Sequence, residues 1–81
     1  MKILISHNMK KQYISLDKPL KKKVKTAIVK LRKGEINIEK LSAGKNIYKI
    51  KIGDYRILVE KLQDVYIIAG IDSRKDVYRN L

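Results

Sequence analysis

The 81-residue sequence contains no cysteine, phenylalanine or tryptophan, and only one histidine and one proline. Without cysteine the chain can form neither disulfides nor the thiolate sites of zinc fingers. The single histidine, His7, excludes a multi-histidine metal site, so we expect no metal and no cofactor. No apolar run approaches the roughly 20 residues that span a bilayer, and residues 1–6 are too short for the apolar core of a signal peptide. We therefore expect a cytoplasmic protein with no membrane partner.

Acidic residues are also scarce, with 8 Asp and Glu against 20 Lys and Arg and a formal net charge of +12. Such an excess repels itself on folding, which favours a polyanion or an acidic protein as partner. Phosphate backbones are the commonest such partner, although charge alone does not distinguish DNA, RNA, the ribosome, a membrane surface or a role in solubility. The chain is 44% hydrophobic, which argues against disorder, and its length predicts one domain over residues 1–81.

The first half of the chain is predicted to form one strand and two helices. A β-branched apolar run at residues 2–6 indicates a strand, and a short helix is expected from about His7 to Leu16. Its candidate N-caps are Ser6 and Asn8. A second helix of roughly 15 residues is predicted between the N-cap Asp17 and the stop signal Gly34. Its apolar positions recur at helical spacing, namely Leu20, Val24, Ala27, Ile28 and Leu31.

The opposite face of that second helix is uniformly basic. It carries Lys21, Lys22, Lys23, Lys25, Lys30, Arg32 and Lys33. Two interpretations stay open: an ordinary solvated face, or an electrostatic platform that attracts phosphate without selecting a nucleic-acid sequence.

The second half changes to a period of two, which indicates strands. A connecting loop is expected over residues 35–46, followed by strands at Ile47–Ile52, Tyr55–Leu62 and Val65–Ile71. The whole pattern predicts an α+β fold, with an N-terminal strand and a two-helix hairpin packed on a twisted antiparallel sheet.

A two-residue turn at Gly53-Asp54 would fix the register of the first hairpin. The resulting pairs are Ile52 with Tyr55, Lys51 with Arg56, and Lys49 with Leu58. Alternate residues then share a face, and the apolar face toward the helices consists of Tyr48, Ile50, Ile52, Tyr55, Ile57 and Val59. Lys49, Lys51 and Arg56 lie together on the other face, as a solvated surface or as a phosphate site.

The C-terminal stretch from Asp72 to Arg79 adds further cations and Tyr78. Arginine can hold a phosphate by two parallel hydrogen bonds, and tyrosine can stack on a base. Such a set suits cleavage of single-stranded RNA by its own 2′-hydroxyl, which requires proton transfer and stabilisation of the phosphorane charge and needs no metal.

Three motifs of this sequence resemble the RelE/ParE family of toxins. They are Leu41-Ser42-Ala43-Gly44, the strand-turn-strand from Tyr48 to Leu58, and the ending from Ser73 to Arg79. The resemblance implies the α+β toxin fold, a neutralising antitoxin that forms a hetero-oligomer with the toxin, and, in RelE-type members, cleavage of mRNA in the ribosomal A site.

Matched position by position, the resemblance implies a catalytic set of Lys49, Lys51, Arg56, Arg74 and Tyr78. Arg56 and Arg74 would stabilise the transition state, and Lys49 or Lys51 would act as general base. Tyr78 would stack on or orient the target nucleobase of the RNA. Contacts with RNA or the ribosome are assigned to Lys21, Lys22, Lys25, Lys75 and Arg79. One position departs from the family pattern, because Ser73 stands where many members have histidine. Two alternatives remain: a ParE-like inhibitor of DNA gyrase, and a catalytically weak relative that binds only its antitoxin or nucleic acid.

Overall fold

The computed structural model describes residues 2–41 and 46–73. The elements in these ranges are, in chain order, β1 (Lys2–Ile5), α1 (His7–Ile14), α2 (Lys18–Lys33), β2 (Glu39–Lys40), β3 (Ile47–Ile52), β4 (Tyr55–Leu62) and β5 (Val65–Ser73). The two predicted helices and the four predicted strands are confirmed, and β5 continues beyond the predicted end at Ile71.

The strands form one sheet in the order β1-β5-β4-β3-β2. The predicted meander of β3, β4 and β5 is antiparallel throughout, but β1 pairs with β5 in parallel. The sheet is therefore mixed, not wholly antiparallel, because α1 and α2 carry the chain across the sheet before the meander begins. The predicted loop at 35–46 also contains a short strand, β2, which pairs with Tyr48 and Lys49 of β3.

Both helices begin at side-chain caps that the sequence indicates. The Ser6 hydroxyl accepts the Met9 backbone N–H at 3.0 Å, and the Asp17 carboxylate accepts the Leu20 N–H at 2.9 Å. Gly34 ends α2 in the left-handed conformation, with φ of 73°, which glycine adopts without steric cost. α1 ends at Ile14, before the expected Leu16.

The core lies between the helices and one face of the sheet. Its fully buried side chains are Met9, Val24, Ile50, Ile57, Val59 and Ile68. Tyr55, at the end of the predicted apolar face, is 39% exposed, whereas its cross-strand partner Ile52 is buried and belongs to the core. No helix in the described ranges has the length and apolar character needed to cross a membrane.

Candidate nucleic-acid interface

The β3–β4 hairpin fixes the geometry of the candidate site. Gly53 occupies a positive φ of 57° in the turn, and the turn sets the predicted register of Ile52 with Tyr55, Lys51 with Arg56 and Lys49 with Leu58. Cross-strand partners project from the same face of the sheet. The register therefore places Lys49, Lys51 and Arg56 on the face away from the helices, as predicted.

One row of charges crosses three strands on this face. Lys51 of β3 pairs with Arg56 of β4, and Arg56 pairs in turn with Asp72 of β5. Lys51 is exposed, whereas Arg56 is only 4% exposed. Of the two predicted alternatives, a solvated surface does not describe Arg56, since it is a buried cation whose cross-strand neighbours are a lysine and an aspartate. Burial reduces its freedom to move, which suits a preorganised positive charge.

The neighbouring row contains Lys49. Its ammonium lies 3.6 Å from a carboxylate oxygen of Glu39 on β2, and the side chains are 17% and 62% exposed, respectively. Lys49 therefore already has a counter-ion in this state. The sequence does not predict this ion pair, because Glu39 lies in the stretch predicted to be a loop. Among the described residues, the carboxylates of Glu39, Glu60 and Asp72 lie on this face together with Lys49, Lys51 and Arg56.

A groove joins the hairpin to α2. It has a volume of about 510 Å³, and its cationic lining residues are Lys22, Lys23, Lys30 and Lys51. Lys51 and Ile52 of β3 line the groove, at positions beyond Tyr48 and Lys49, which pair with β2. Apolar side chains, including Ile36 and Ile52, contribute to the lining. Lys51 therefore belongs both to the charged row and to the basic surface of α2.

The other predicted contact residues divide between different places. Lys22 lines the groove, but the Lys21 ammonium lies 5.7 Å from the centroid of the Tyr13 ring, against α1. Lys25 lines a second groove between the two helices. Lys23 and Lys30 also line the first groove. They belong to the predicted basic face but not to the predicted contact residues, although their spacing of two helical turns places them on one side of α2.

Four predicted residues, Arg74, Lys75, Tyr78 and Arg79, lie outside the described residues. β5 ends at Ser73, which pairs with Tyr55 beside the row of Lys51, Arg56 and Asp72. No group of three or more His, Cys, Asp or Glu side chains that could hold a metal ion occurs in residues 2–41 and 46–73.

The fold of two helices on a five-stranded sheet is shared with RelE toxins. A chain of the RelB–RelE antitoxin–toxin complex from Methanococcus jannaschii matches with a TM-score of 0.81 and 23% identity, over 96% of this chain and 98% of that one. The isolated E. coli RelE toxin matches with a TM-score of 0.73 and 20% identity, over 99% and 98% of the two chains. A chain of the intact E. coli RelBE complex matches with a TM-score of 0.74 and 19% identity, over 89% and 94%.

The sequence itself assigns the family. Residues 3–78 match the family model described as the ParE toxin of the type II toxin–antitoxin system parDE. The chain therefore belongs to the RelE/ParE family and is a toxin of type II toxin–antitoxin systems. No curated protein matches the chain significantly.

Proposed function

We propose that this toxin is a ribosome-dependent mRNA endonuclease. The observation that carries the proposal is the row in which the exposed Lys51 lies opposite the buried Arg56. Lys51 also lines the groove that contains Lys22, Lys23 and Lys30. Such an arrangement offers one accessible cation for a scissile phosphate and one fixed cation for the charge that develops on it. Cleavage would then block translation.

The proposed reaction uses the 2′-hydroxyl of the RNA as nucleophile. A base removes the 2′-proton, the 2′-oxygen attacks phosphorus, and the leaving 5′-oxygen takes up a proton, which gives a 2′,3′-cyclic phosphate and a 5′-hydroxyl. Of the two candidate bases, the geometry favours Lys51, because Lys49 is engaged by Glu39. Arg56 would stabilise the phosphorane, and the resemblance assigns Arg74 to the same task. It assigns Tyr78 to a contact with the nucleobase of the RNA.

The groove supports a path for the RNA strand. Lys22, Lys23 and Lys30 line it together with Lys51, so a phosphate backbone lying along α2 would arrive directly at the charged row. Lysine contacts of this kind add affinity independently of sequence. In the proposed complex the ribosome would present the mRNA and align its scissile phosphate with the charged row.

We also propose an antitoxin as partner. Two of the similar structures are described as complexes of a toxin with its antitoxin, and the net charge of +12 favours an acidic protein. An apolar groove of about 350 Å³ between the helices, lined by Ile5, Met9, Tyr13, Ile28 and Val29 with Lys10 and Lys25, offers a surface for it. The cytoplasmic location stays a prediction.

The test is to map RNA ends in cells after induction of this chain alone. We expect growth arrest and new 5′ ends within translated mRNA, and the same ends on purified ribosomes programmed with that mRNA. Arrest without new 5′ ends would contradict the proposal. Free mRNA without ribosomes is the control, because the proposed reaction depends on the ribosome.

The second candidate is inhibition of DNA gyrase, which the description of the matching family model as a ParE toxin favours. A supercoiling assay with purified gyrase separates the two, since an endonuclease leaves supercoiling unchanged. The third candidate, a non-enzymatic binding module, predicts neither new RNA ends nor gyrase inhibition, together with stable binding of antitoxin or RNA.

A further inference from the structure

The outer edge of β5 loses its strand neighbour part of the way along. β1 pairs with β5 only from Val65 to Ile68, whereas β5 continues to Ser73. Backbone N–H and C=O groups at such an edge require other partners.

Three side chains at and after the start of α1 replace the missing strand. The Ser6 hydroxyl donates to the Ala69 carbonyl at 2.9 Å, and the Asn8 amide donates to the same oxygen at 3.2 Å. The Gln12 amide donates to the Ile71 carbonyl at 2.9 Å and accepts the Ile71 N–H at 2.9 Å. A carboxamide carries a donor and an acceptor side by side, like a peptide group, so Gln12 acts as one further residue of a neighbouring strand. We call Ser6, Asn8 and Gln12 the β5 clasp.

The β5 clasp holds β5 at an irregularity. Leu58 pairs with Gly70 but Val59 pairs with Ile68, so Ala69 is an extra residue in the β4–β5 ladder. An extra residue reverses which side chains face each side of the sheet beyond it. In the observed register Ile71 pairs with Ile57 and Asp72 with Arg56. Without the extra residue, Ile71 would lie opposite Arg56 and Asp72 would leave the charged row.

Gly70 lies between the two clasped residues and is packed closely against the clasp. A Cβ atom there would lie 2.9 Å from Gln12 Oε1 and 3.0 Å from Asn8 Nδ2. Both distances are shorter than ordinary contacts, so a side chain at this position would push the clasp away from the strand. The sequence around the bulge is therefore fitted to the amides of α1.

We propose that Gln12, with Ser6 and Asn8, is a positioning residue that holds the bulged end of β5 in the register that places Asp72 opposite Arg56. The consequence for catalysis depends on the proposed endonuclease function; the consequence for the register does not. Gln12 acts through the backbone of Ile71, with which its side chain makes two hydrogen bonds.

The test compares Gln12→Met with His7→Met. His7 is exposed on the same helix, so His7→Met is a matched polar-to-apolar control. The full chain is studied in two ways. NMR gives the amide hydrogen-exchange rates and the cross-strand contacts, and an assay on programmed ribosomes gives the cleavage kinetics. In Gln12→Met we expect Ile71 N–H to exchange about tenfold faster and the Arg56–Asp72 cross-strand contact to weaken, with Ile50 unchanged. We expect kcat to fall about tenfold or more, with KM nearly constant, because the affected row acts on the transition state.

The outcomes separate the inference from the proposed function. Unchanged Ile71 exchange and an intact Arg56–Asp72 contact in Gln12→Met would overturn the clasp. A lost contact with unchanged kcat would overturn its role in positioning. If the wild-type chain does not cleave RNA, the endonuclease proposal fails and the NMR readout alone decides the register. Should Gln12→Met not fold, Gln12→Asn gives the same comparison with a smaller change, because it keeps the amide and only shortens the side chain.

Discussion

Replacing Arg56 with methionine separates the chemistry of the charged row from its stability. Methionine retains a long, unbranched apolar stem and removes the guanidinium. Arg56 is 4% exposed, so much of what it contributes to packing comes from that stem. We therefore expect the variant to fold, and its defect to appear in cleavage.

The expected size of the defect follows from the position of Arg56. Removing one preorganised donor that stabilises developing negative charge typically costs about 10²–10³ in kcat, or ~2.7–4 kcal/mol. Two effects on stability oppose each other. Loss of the like-charge pair with Lys51 returns roughly 0.2–1 kcal/mol, whereas Asp72 loses the cation opposite it. Because Asp72 is partly exposed, we expect a net destabilisation below the ~3–5 kcal/mol of a fully buried broken pair.

The assay is cleavage of mRNA on purified ribosomes, with thermal unfolding measured on the same preparations. Arg32→Met is the matched control, since Arg32 is exposed near the end of α2 and its replacement removes the same charge. The double variant Arg56→Met with Asp72→Asn should recover stability without recovering cleavage. A folded Arg56→Met protein that cleaves within about threefold of wild type would refute the assignment. Equal losses of cleavage activity in Arg56→Met and Arg32→Met would show that only the net charge of the protein matters.

Three further predictions concern the groove, a helix cap and the ion pair. Lys23→Gln should reduce the slope of log affinity for single-stranded RNA against log salt by about 0.7, and a slope no different from that of Lys11→Gln would remove Lys23 from the interface. Asp17→Ala should cost about 1 kcal/mol and lower Tm by about 4–8 °C in a thermal melt; an unchanged Tm would mean that the cap is dispensable. Glu39→Gln should change stability by less than about 1 kcal/mol while tightening RNA binding in a titration, because Lys49 is released; weaker binding would contradict this.

The hairpin was predictable because its determinants are local. Two adjacent residues, Gly53 and Asp54, set the turn, and the period of two then fixes every pair along β3 and β4. The N-caps of both helices and the stop at Gly34 were predictable for the same reason. In each case the physical cause lies within a few residues of its effect.

The remaining features depend on residues far apart in the chain. Nothing near Lys2–Ile5 specifies a parallel partner at Val65–Ile68, and the two-residue strand β2 exists only because β3 lies beside it. The contacts of Gln12 with Ile71 span 59 positions. A glutamine in an amphipathic helix has no pattern that distinguishes such a role from a solvated one.

Arg56 shows the limit of a periodic pattern. Alternation placed it correctly on the face away from the helices, but the pattern states only which face a side chain occupies. Whether that face is open to water depends on what covers it. The burial of Arg56 to 4% and the carboxylates of Glu39 and Asp72 near the cations are tertiary facts.

These facts distinguish the electrostatic role of α2 from that of the hairpin face, although Lys51 belongs to both. On the hairpin face the described residues include carboxylates beside the cations, Glu39 next to Lys49 and Asp72 opposite Arg56, whereas α2 contains no acidic residue. Long-range attraction of a polyanion depends on uncompensated charge, which α2 and its groove would supply. Stabilisation of a transition state depends instead on a few fixed charges at short range, and the buried Arg56 can supply one of them. Lysine substitutions on α2 should therefore weaken capture of RNA, while the rate of the chemical step depends on the row that Lys51 and Arg56 form.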